Sequence, residues 1–351
     1  MYTAMGESSN KKGKPIIGIS IGDVNGVGPE VIIKSLEDSR ILKQFTPVIY
    51  GSGKVISYYR KNLNKENFNY QQISSIDKVI PKKVNVLNVW NETIEISPGQ
   101  ANETGGKYAV QSLEAAVKDL KESKIHGLAT APLSKELVQS DEFKFPGHTE
   151  YLTEKAGEKD SLMFLVHQGL RVGVVTGHVP LNEVSKKVTK EKVQSKLAKM
   201  AKSLQKDFGI KKPRIAVLGL NPHAGENGLL GDEEEKVIMP AINEVKSGHQ
   251  IVMGPFPADG FFGQGTYKQY DGILAMYHDQ GLIPFKTLAF EDGINYTAGL
   301  PFVRTSPDHG TAFGIAGKNE ANETSFRNAL YLANDIVRQR SENEFDDEEE
   351  N

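Results

Sequence analysis

The sequence predicts an α/β fold with a largely parallel sheet, spread over about two lobes. Two observations carry this. Short apolar runs of strand character alternate with stretches of helical periodicity along most of the chain. Its 351 residues also exceed what one average domain needs, and no internal repeat divides them.

The first run, PIIGISI (Pro15 to Ile21), is a buried strand that ends in the glycine-rich GDVNGVGPE. Pro29 suits the first turn of the next helix, where its missing N–H costs nothing. A glycine loop between strand and helix either offers N–H groups to an anion or is only a tight turn. It is neither GxGxxG nor a Walker loop, and the chain holds neither elsewhere. FTPVIYG and VNVLNVW read as strands, and the polar span between them gives no signal. GGKYAVQSLEAAVKDLKES reads as a helix with Val110, Leu113, Val117 and Leu120 on one face. IHGLAT is a strand leading into APLSKE, and FPGHTEYLTEKAG is a loop followed by a helix. SLMFLVH and LRVGVVT form a hairpin across Gln168-Gly169. Thr189 to Phe208 is a helix with Val193, Leu197, Met200 and Leu204 inward, and RIAVLGL is a strand. Asp232, with Glu235 three residues on, has the pattern of a helix N-cap, and Pro240 kinks or restarts that helix. IVMGPFPADGFF reads as strand then loop, GILAMY as a strand, and Thr324 as the cap of a last helix, FRNALYLANDIVRQR.

Composition narrows the function classes. A net charge of -3 points to neither nucleic acid nor a membrane surface as the main partner. The absence of cysteine excludes disulfides, thiolate catalysis and cysteine-ligated zinc, and fits a reducing compartment. No apolar run approaches the roughly 20 residues of a membrane span. The start, MYTAMGESSNKKGK, lacks an apolar signal core, so cytoplasm is the expectation. Residues 1–14 read as a flexible tail, 15–340 as one catalytic unit of two α/β lobes, and the acidic 341–351 as a disordered tail.

Chemistry-bearing residues gather between Tyr277 and Lys318: His278, Asp279, Lys286, Asn295, Arg304, Asp308 and His309. Gly281, Pro284, Gly299, Pro301, Pro307 and Gly310 punctuate them, the pattern of short strands and loops presenting a site. Solvated turns are the plainer alternative. Three of the eight histidines, His178, His223 and His278, stand at or just past strand ends, where α/β sheets bind ligands. Converging there, three imidazoles could hold one metal and leave positions open for substrate. Spacing leaves open that they are unrelated loop histidines. His126, His167 and His249 lack this context and read as surface or structural. Lys286, Arg304 and His148 suit an anionic substrate, although a surface ion pair is the commoner role for each alone.

Nine segments stand in order from Gly22 to Lys318: GDVNGVGPE, TAPLSKE, FPGHTEYL, TGHVPL, LNPHAGENGLLGDEE, GPFPAD, YHDQGLIPFK, INYTAGLPFVRTSPDHGTAF and IAGK. Together they resemble the 4-hydroxythreonine-4-phosphate dehydrogenase family of pyridoxal 5'-phosphate synthesis. The resemblance implies a two-lobed fold similar to isocitrate and isopropylmalate dehydrogenases, with the site in the interlobe cleft. It implies a homodimer with active sites at the subunit interface and metal ligands from both subunits. His178, His223 and His278 would bind one divalent ion (zinc, magnesium or cobalt). His148, Thr149, Lys286, Asn295 and Arg304 would contact substrate. His309, Gly310, Thr311 and Gly314 would hold the adenosine end of NAD or NADP. One departure is Gly314, where the family commonly has Asp; a carboxylate there could bind the ribose 2'-OH and repel a 2'-phosphate.

The implied reaction oxidises 4-phosphohydroxy-L-threonine at C3 to 2-amino-3-oxo-4-phosphohydroxybutyrate, a β-keto acid that loses CO2 to give 3-amino-2-oxopropyl phosphate. Asp259 and Lys135 are the candidate proton acceptors. A rival is oxidation of phosphoerythronate or phospho-D-threonate, which differ at C2 in substituent or stereochemistry. A metal-dependent binding protein without turnover is a second, which retention of the three histidines and the HGTAF stretch disfavours.

Overall fold

The computed structural model describes residues 13–139, 143–145, 147–245 and 250–349. Most of the N-terminal tail, and His249, lie outside them. β1 (Ile16–Ser20) leads through the glycine loop into α1 (Gly28–Glu37), which has Pro29 in its first turn as expected. β2 (Thr46–Gly51) follows, then α2 (Gly53–Asn62), capped by Ser52, and the short β3 (Gln71–Ile73). α2 and β3 lie in the polar span that gave no signal. β4 (Asn85–Asn88), α3 (Glu103–Lys121) and β5 (Gly127–Thr130) come next. Leu113, Val117 and Leu120 of α3 are buried, and Val110 is partly buried against the same cluster.

α4 (His148–Lys155) precedes the hairpin of β6 (Leu162–His167) and β7 (Leu170–Thr176). α5 (Leu181–Lys187), α6 (Lys190–Lys206) and β8 (Arg214–Leu218) follow, and the four expected apolar positions of α6 are fully buried. A wide π-helical turn, Glu234–Ile238, opens into α7 (Met239–Val245), so Pro240 follows an irregular turn rather than continuing a regular helix. Asp232 does not cap it: the N-cap is Glu233, without a side-chain bond, and the Asp232 carboxylate pairs with Lys236.

β9 (Ile251–Phe256) leads into α8 (Ala258–Gly263), a short helix where a loop was expected. β10 (Gly272–Tyr277) leads into α9 (His278–Ala289), again a helix in place of loops. Gly281 sits inside α9 because the helix lies close on the sheet: a Cβ there would stand 3.1 Å from Val172 and Val174. Pro284 removes one N–H from the helix ladder without ending it. β11 (Ile294–Ala298), β12 (Val303–Pro307) and α10 (Thr324–Glu349) complete the chain. Thr324 is the first residue of α10 rather than its cap, its N–H donating to the Asn322 side chain. α10 runs through most of the acidic segment expected to be disordered, and Asn343 still donates to the Lys206 carbonyl at 2.9 Å.

The twelve strands form one sheet in the order β3-β4-β2-β1-β5-β12-β11-β6-β7-β10-β8-β9. β3 to β12 in that order run parallel, as do β7 to β9. Antiparallel pairing at β12/β11, β11/β6 and β6/β7 joins the halves, which therefore run in opposite directions. One face carries a continuous core under α1, α6, α7 and α10. The other carries two separate clusters, one under α3 and α4, the other under α8 and α9.

On the continuous face a buried polar knot ties α6, β11 and α10. Asp207 accepts from Ser203 at 2.6 Å, Tyr296 at 2.6 Å and Arg340 at 2.8 Å. Removing one partner of a buried pair strands the other charge. Asp207→Ala should lower stability by about 3–5 kcal/mol in urea unfolding. A loss under about 1 kcal/mol would show that solvent takes over the contacts of Arg340.

Candidate active site between two clusters of one sheet face

The gap between the two clusters is a pocket of about 360 Å³. Its floor follows from strand alternation. Met163 and Leu165 of β6, Asn295 of β11, and Arg304 and Ser306 of β12 all point to this face. Arg304 is 3 % exposed. Its Nε and Nη2 donate to Thr130 Oγ1 at 3.2 and 2.7 Å, and its Nη1 to Thr297 Oγ1 at 3.1 Å. Among the described residues no carboxylate forms an ion pair with it, and burial pulls its pKa down to about 10, against the pull of Glu150.

One wall is α9. His278, Leu282 and Lys286 recur every four residues, so one helix stripe faces the pocket. Lys286 Nζ is 3.1 Å from Asp308 Oδ2 and donates to the Asp308 carbonyl at 3.3 Å. Burial raises the pKa of Asp308, and Lys286 opposes that rise.

The opposite wall is the segment after β5 and the first turn of α4: Pro132, Leu133, Lys135, Gly147, His148, Thr149 and Glu150. The His148 Nε2 is buried without a hydrogen-bond partner. Burial, then the charges of Arg304 and Lys135, hold its pKa well below the ordinary value, so the ring is neutral. A Cβ on Gly147 would stand 3.4 Å from Lys135 Cε and 3.5 Å from Glu150 Oε2, so both side chains crowd this point. They form no ion pair with each other or with any described residue.

His178 follows β7 and His278 opens α9; their ring centroids are 5.7 Å apart. His278 Nδ1 lies 2.7 Å from Asp279 Oδ1. Burial, then Lys135, lowers the pKa of His178, which favours the neutral ring that a metal ligand must be. His223 does not join them. It occupies the turn Pro222–Gly225 after β8, at φ 51, outside the pocket. Among the described residues no group of three or more His, Asp or Glu gathers to hold a metal. Asp259 is exposed in the first turn of α8, also outside the pocket, and α8 packs against the His223 turn.

His309 and Gly310 close the far end. His309 Nδ1 lies 3.0 Å from the Gly310 carbonyl, and its Nε2 is buried without a partner. Beyond the pocket, the Thr311 carbonyl accepts from Val27 at 2.9 Å, so the glycine loop after β1 backs this segment. Gly314 is exposed, and a Cβ there would meet nothing within 4 Å. The two other described histidines set aside from the sequence are structural: His126 Nδ1 accepts from Ile16, and His167 lies 3.0 Å from Asp292.

Sequence reasoning missed Thr130, Glu150 and Ser306. Thr130 ends a predicted strand and Glu150 directly follows His148 and Thr149, so position held the available signal. No described helix is long and apolar enough to cross a membrane.

Residues 43–333 match the model of the pyridoxal phosphate biosynthetic protein PdxA family. The chain is 49 % identical over 325 residues to a 4-hydroxythreonine-4-phosphate dehydrogenase of Bacteroides thetaiotaomicron, covering 92 % of this chain and 89 % of that one. It is 39 % identical over 323 residues to a Clostridium botulinum protein with the provisional name D-threonate 4-phosphate dehydrogenase, covering 91 % and 96 %. The solved 4-hydroxythreonine-4-phosphate dehydrogenase of Klebsiella pneumoniae superposes with a TM-score of 0.80 at 35 % identity, over 94 % of this chain and 99 % of that one. An α/β fold with a family-wide match along its length leaves one assignment: the chain belongs to the PdxA family.

Proposed function

We propose that the protein oxidises 4-phosphohydroxy-L-threonine with NAD or NADP, giving a β-keto acid that decarboxylates to 3-amino-2-oxopropyl phosphate. One observation carries the reading: a buried guanidinium, with no carboxylate partner among the described residues, shares a pocket with Lys286, Asn295 and His148. Such a charge is costly to bury and calls for an anion. The substrate has two anionic ends, and Arg304, Lys286 and His148 anchor them, with Thr149 and Asn295 as neutral contacts.

His178 and His278 fit a divalent ion as a partial set: two imidazoles close together, one of them with its pKa lowered by burial. When bound, the ion supplies Lewis acidity at the substrate C3 hydroxyl and the dinucleotide accepts the hydride. Zinc, cobalt or magnesium can serve, and imidazole ligands favour the first two. The third histidine, His223, and Asp259 lie on neighbouring elements elsewhere, so a second copy of the chain is proposed to bring them to this pocket. Leu181, 75 % exposed, and Ile283, 62 % exposed, flank His178 and His278 and suit such a contact. Within one chain, Lys135 lines the pocket, which supports it as the group that exchanges the hydroxyl proton.

Glu150 favours this substrate over the hydroxy acids. Among the described residues it is an unpaired carboxylate in a pocket otherwise lined by cations and neutral groups, apart from the Lys286-bound Asp308. An ammonium at C2 suits it; a C2 hydroxyl does not require it. The natural protein should therefore show kcat/KM at least about tenfold higher for 4-phosphohydroxy-L-threonine than for phospho-D-threonate or phosphoerythronate, with one metal and one cofactor. Glu150→Gln should shrink that ratio by roughly tenfold. A natural preference for a hydroxy acid would overturn the substrate assignment, and an unmoved ratio would overturn the part given to Glu150.

Arg304→Met tests the anion site. It should lower kcat/KM by roughly 10- to 100-fold, the worth of a hydrogen bond to a charged group. The urea midpoint should hold or rise, since an unpaired buried charge is removed. Unchanged kcat/KM would show that no substrate anion reaches this residue.

Gly314 bears on cofactor choice. The exposed position offers no acceptor to a ribose, so we infer weak NAD preference or acceptance of NADP. Gly314→Asp, for which there is room, should raise the NAD-to-NADP ratio of kcat/KM by about tenfold or more. Strict NAD use, unchanged by the substitution, would show that Gly314 plays no part in reading the ribose.

A further inference from the structure

His223 sits in an unusual stretch of backbone. Six consecutive residues have positive φ: His223 at 51°, Ala224 at 51°, Gly225 at 82°, Glu226 at 44°, Asn227 at 55° and Gly228 at 87°. Four of them carry side chains, for which the left-handed region is costly. Strain of this kind persists only where the surroundings over-determine it, and it clusters at functional sites.

The surroundings here centre on Glu234. Its carboxylate is buried and forms no ion pair among the described residues. Oε1 accepts from the Leu220 and Asn221 backbone N–H groups, both at 2.7 Å, and Oε2 accepts from the Asn221 side chain at 2.9 Å. Glu233 takes a second bond from that Asn221 side chain at 2.7 Å. Two glycines make room for the carboxylate: a Cβ on Gly219 would lie 3.0 Å from Oε1, and one on Gly225 would lie 2.7 Å from Oε2. Glu234 also begins the π-helical turn, a local widening often found at functional sites. On the other side, Gln280 donates to the Gly219 carbonyl at 2.6 Å while accepting from Met276 at 2.7 Å. Gln280 stands two residues after His278, so it links the start of α9 to the turn that bears His223.

The geometry points to Glu234 as a positioning residue: its buried carboxylate fixes Leu220 and Asn221 at the base of the left-handed turn, so that His223 is presented as a ligand to a divalent metal. Gln280 ties Gly219, just before that turn, to the first turn of α9. This rests on the assignment of His223 as a ligand under the proposed function. A carboxylate satisfied only by N–H donors of one loop has that loop as its task, and the loop's one metal-ligating ring is His223.

The test uses the full-length protein stripped of metal, with cobalt as the probe. Cobalt affinity is measured by titration of its absorption bands, melting temperature is measured in chelator, and kcat is measured as cobalt rises. Glu234→Gln should weaken cobalt binding by about 10- to 100-fold, the usual effect of removing a group that orients a metal ligand. Its kcat should recover at saturating cobalt, and its chelated melting temperature should stay near that of the natural protein. Gln280→Ala, which loosens the turn from the other side and spares the fold if Glu234→Gln does not, should weaken cobalt binding in the same direction. Weakened binding in His223→Ala with none in Glu234→Gln or Gln280→Ala would overturn the positioning role alone. So would a lower chelated melting temperature in Glu234→Gln at unchanged cobalt affinity, the mark of a structural residue. Unchanged cobalt affinity in His223→Ala would instead overturn the ligand assignment on which the role rests.

Discussion

A guanidinium in the middle of a sheet, held by two threonine hydroxyls and, among the described residues, by no carboxylate, constrains the rest of this structure. Arginine cannot escape burial by losing its proton at physiological pH, even with its pKa drawn down to about 10. The space above Arg304 therefore cannot be filled with apolar side chains, because that would strand the charge. The helices on this face stand apart, α3 and α4 on one side and α8 and α9 on the other, and their cores do not merge. Cohesion comes from the opposite face, where one core spans the sheet and the Asp207 knot ties α10 to α6 and β11. One face holds the molecule together; the other is left open for a ligand.

The sequence made most of the strands and the long helices legible, because period-two and period-3.6 patterns survive wherever one face is buried. What it hid has physical causes. Gly281 and Pro284 look like loop punctuation, but Gly281 serves the close approach of α9 to β7 and β10, and one lost N–H does not end a helix packed on a sheet. α2 escaped notice because Val55, Ile56 and Tyr59 are its only large buried side chains, amid lysine, arginine and asparagine. In the site, Arg304, Lys286, Asn295 and His148 stood out through their ordered motifs. Glu150 did not, since an acidic residue in the first turn of a helix is ordinary. The strand-end pattern located all three histidines correctly along the chain. It did not show that only His178 and His278 meet within one chain, because the left-handed turn takes His223 elsewhere.

The opposed halves of the sheet give the pocket its polarity. In a uniformly parallel sheet all carboxyl ends lie along one edge, and ligands gather there. Here β12 and β7 run in opposite directions, with β11 and β6 between them. Strand carboxyl ends therefore meet the pocket at both of its extremities: β7 and β10 deliver His178 and His278 at one, and β12 delivers Pro307 to Gly310 at the other. α9 spans the distance between them. Its residues 278 and 286 are eight apart, about 12 Å along a helix, and Lys286 ends beside Asp308. Under the proposed function, that length suits a four-carbon acid carrying a phosphate, laid along the helix with the floor residues Asn295 and Arg304 beneath it. The two ends of the pocket differ in chemistry, a histidine pair at one and Lys286 with the Pro307 to Gly310 segment at the other. The rigid ruler is a helix on a sheet, whereas the turn bearing His223 takes its place through a run of six left-handed residues.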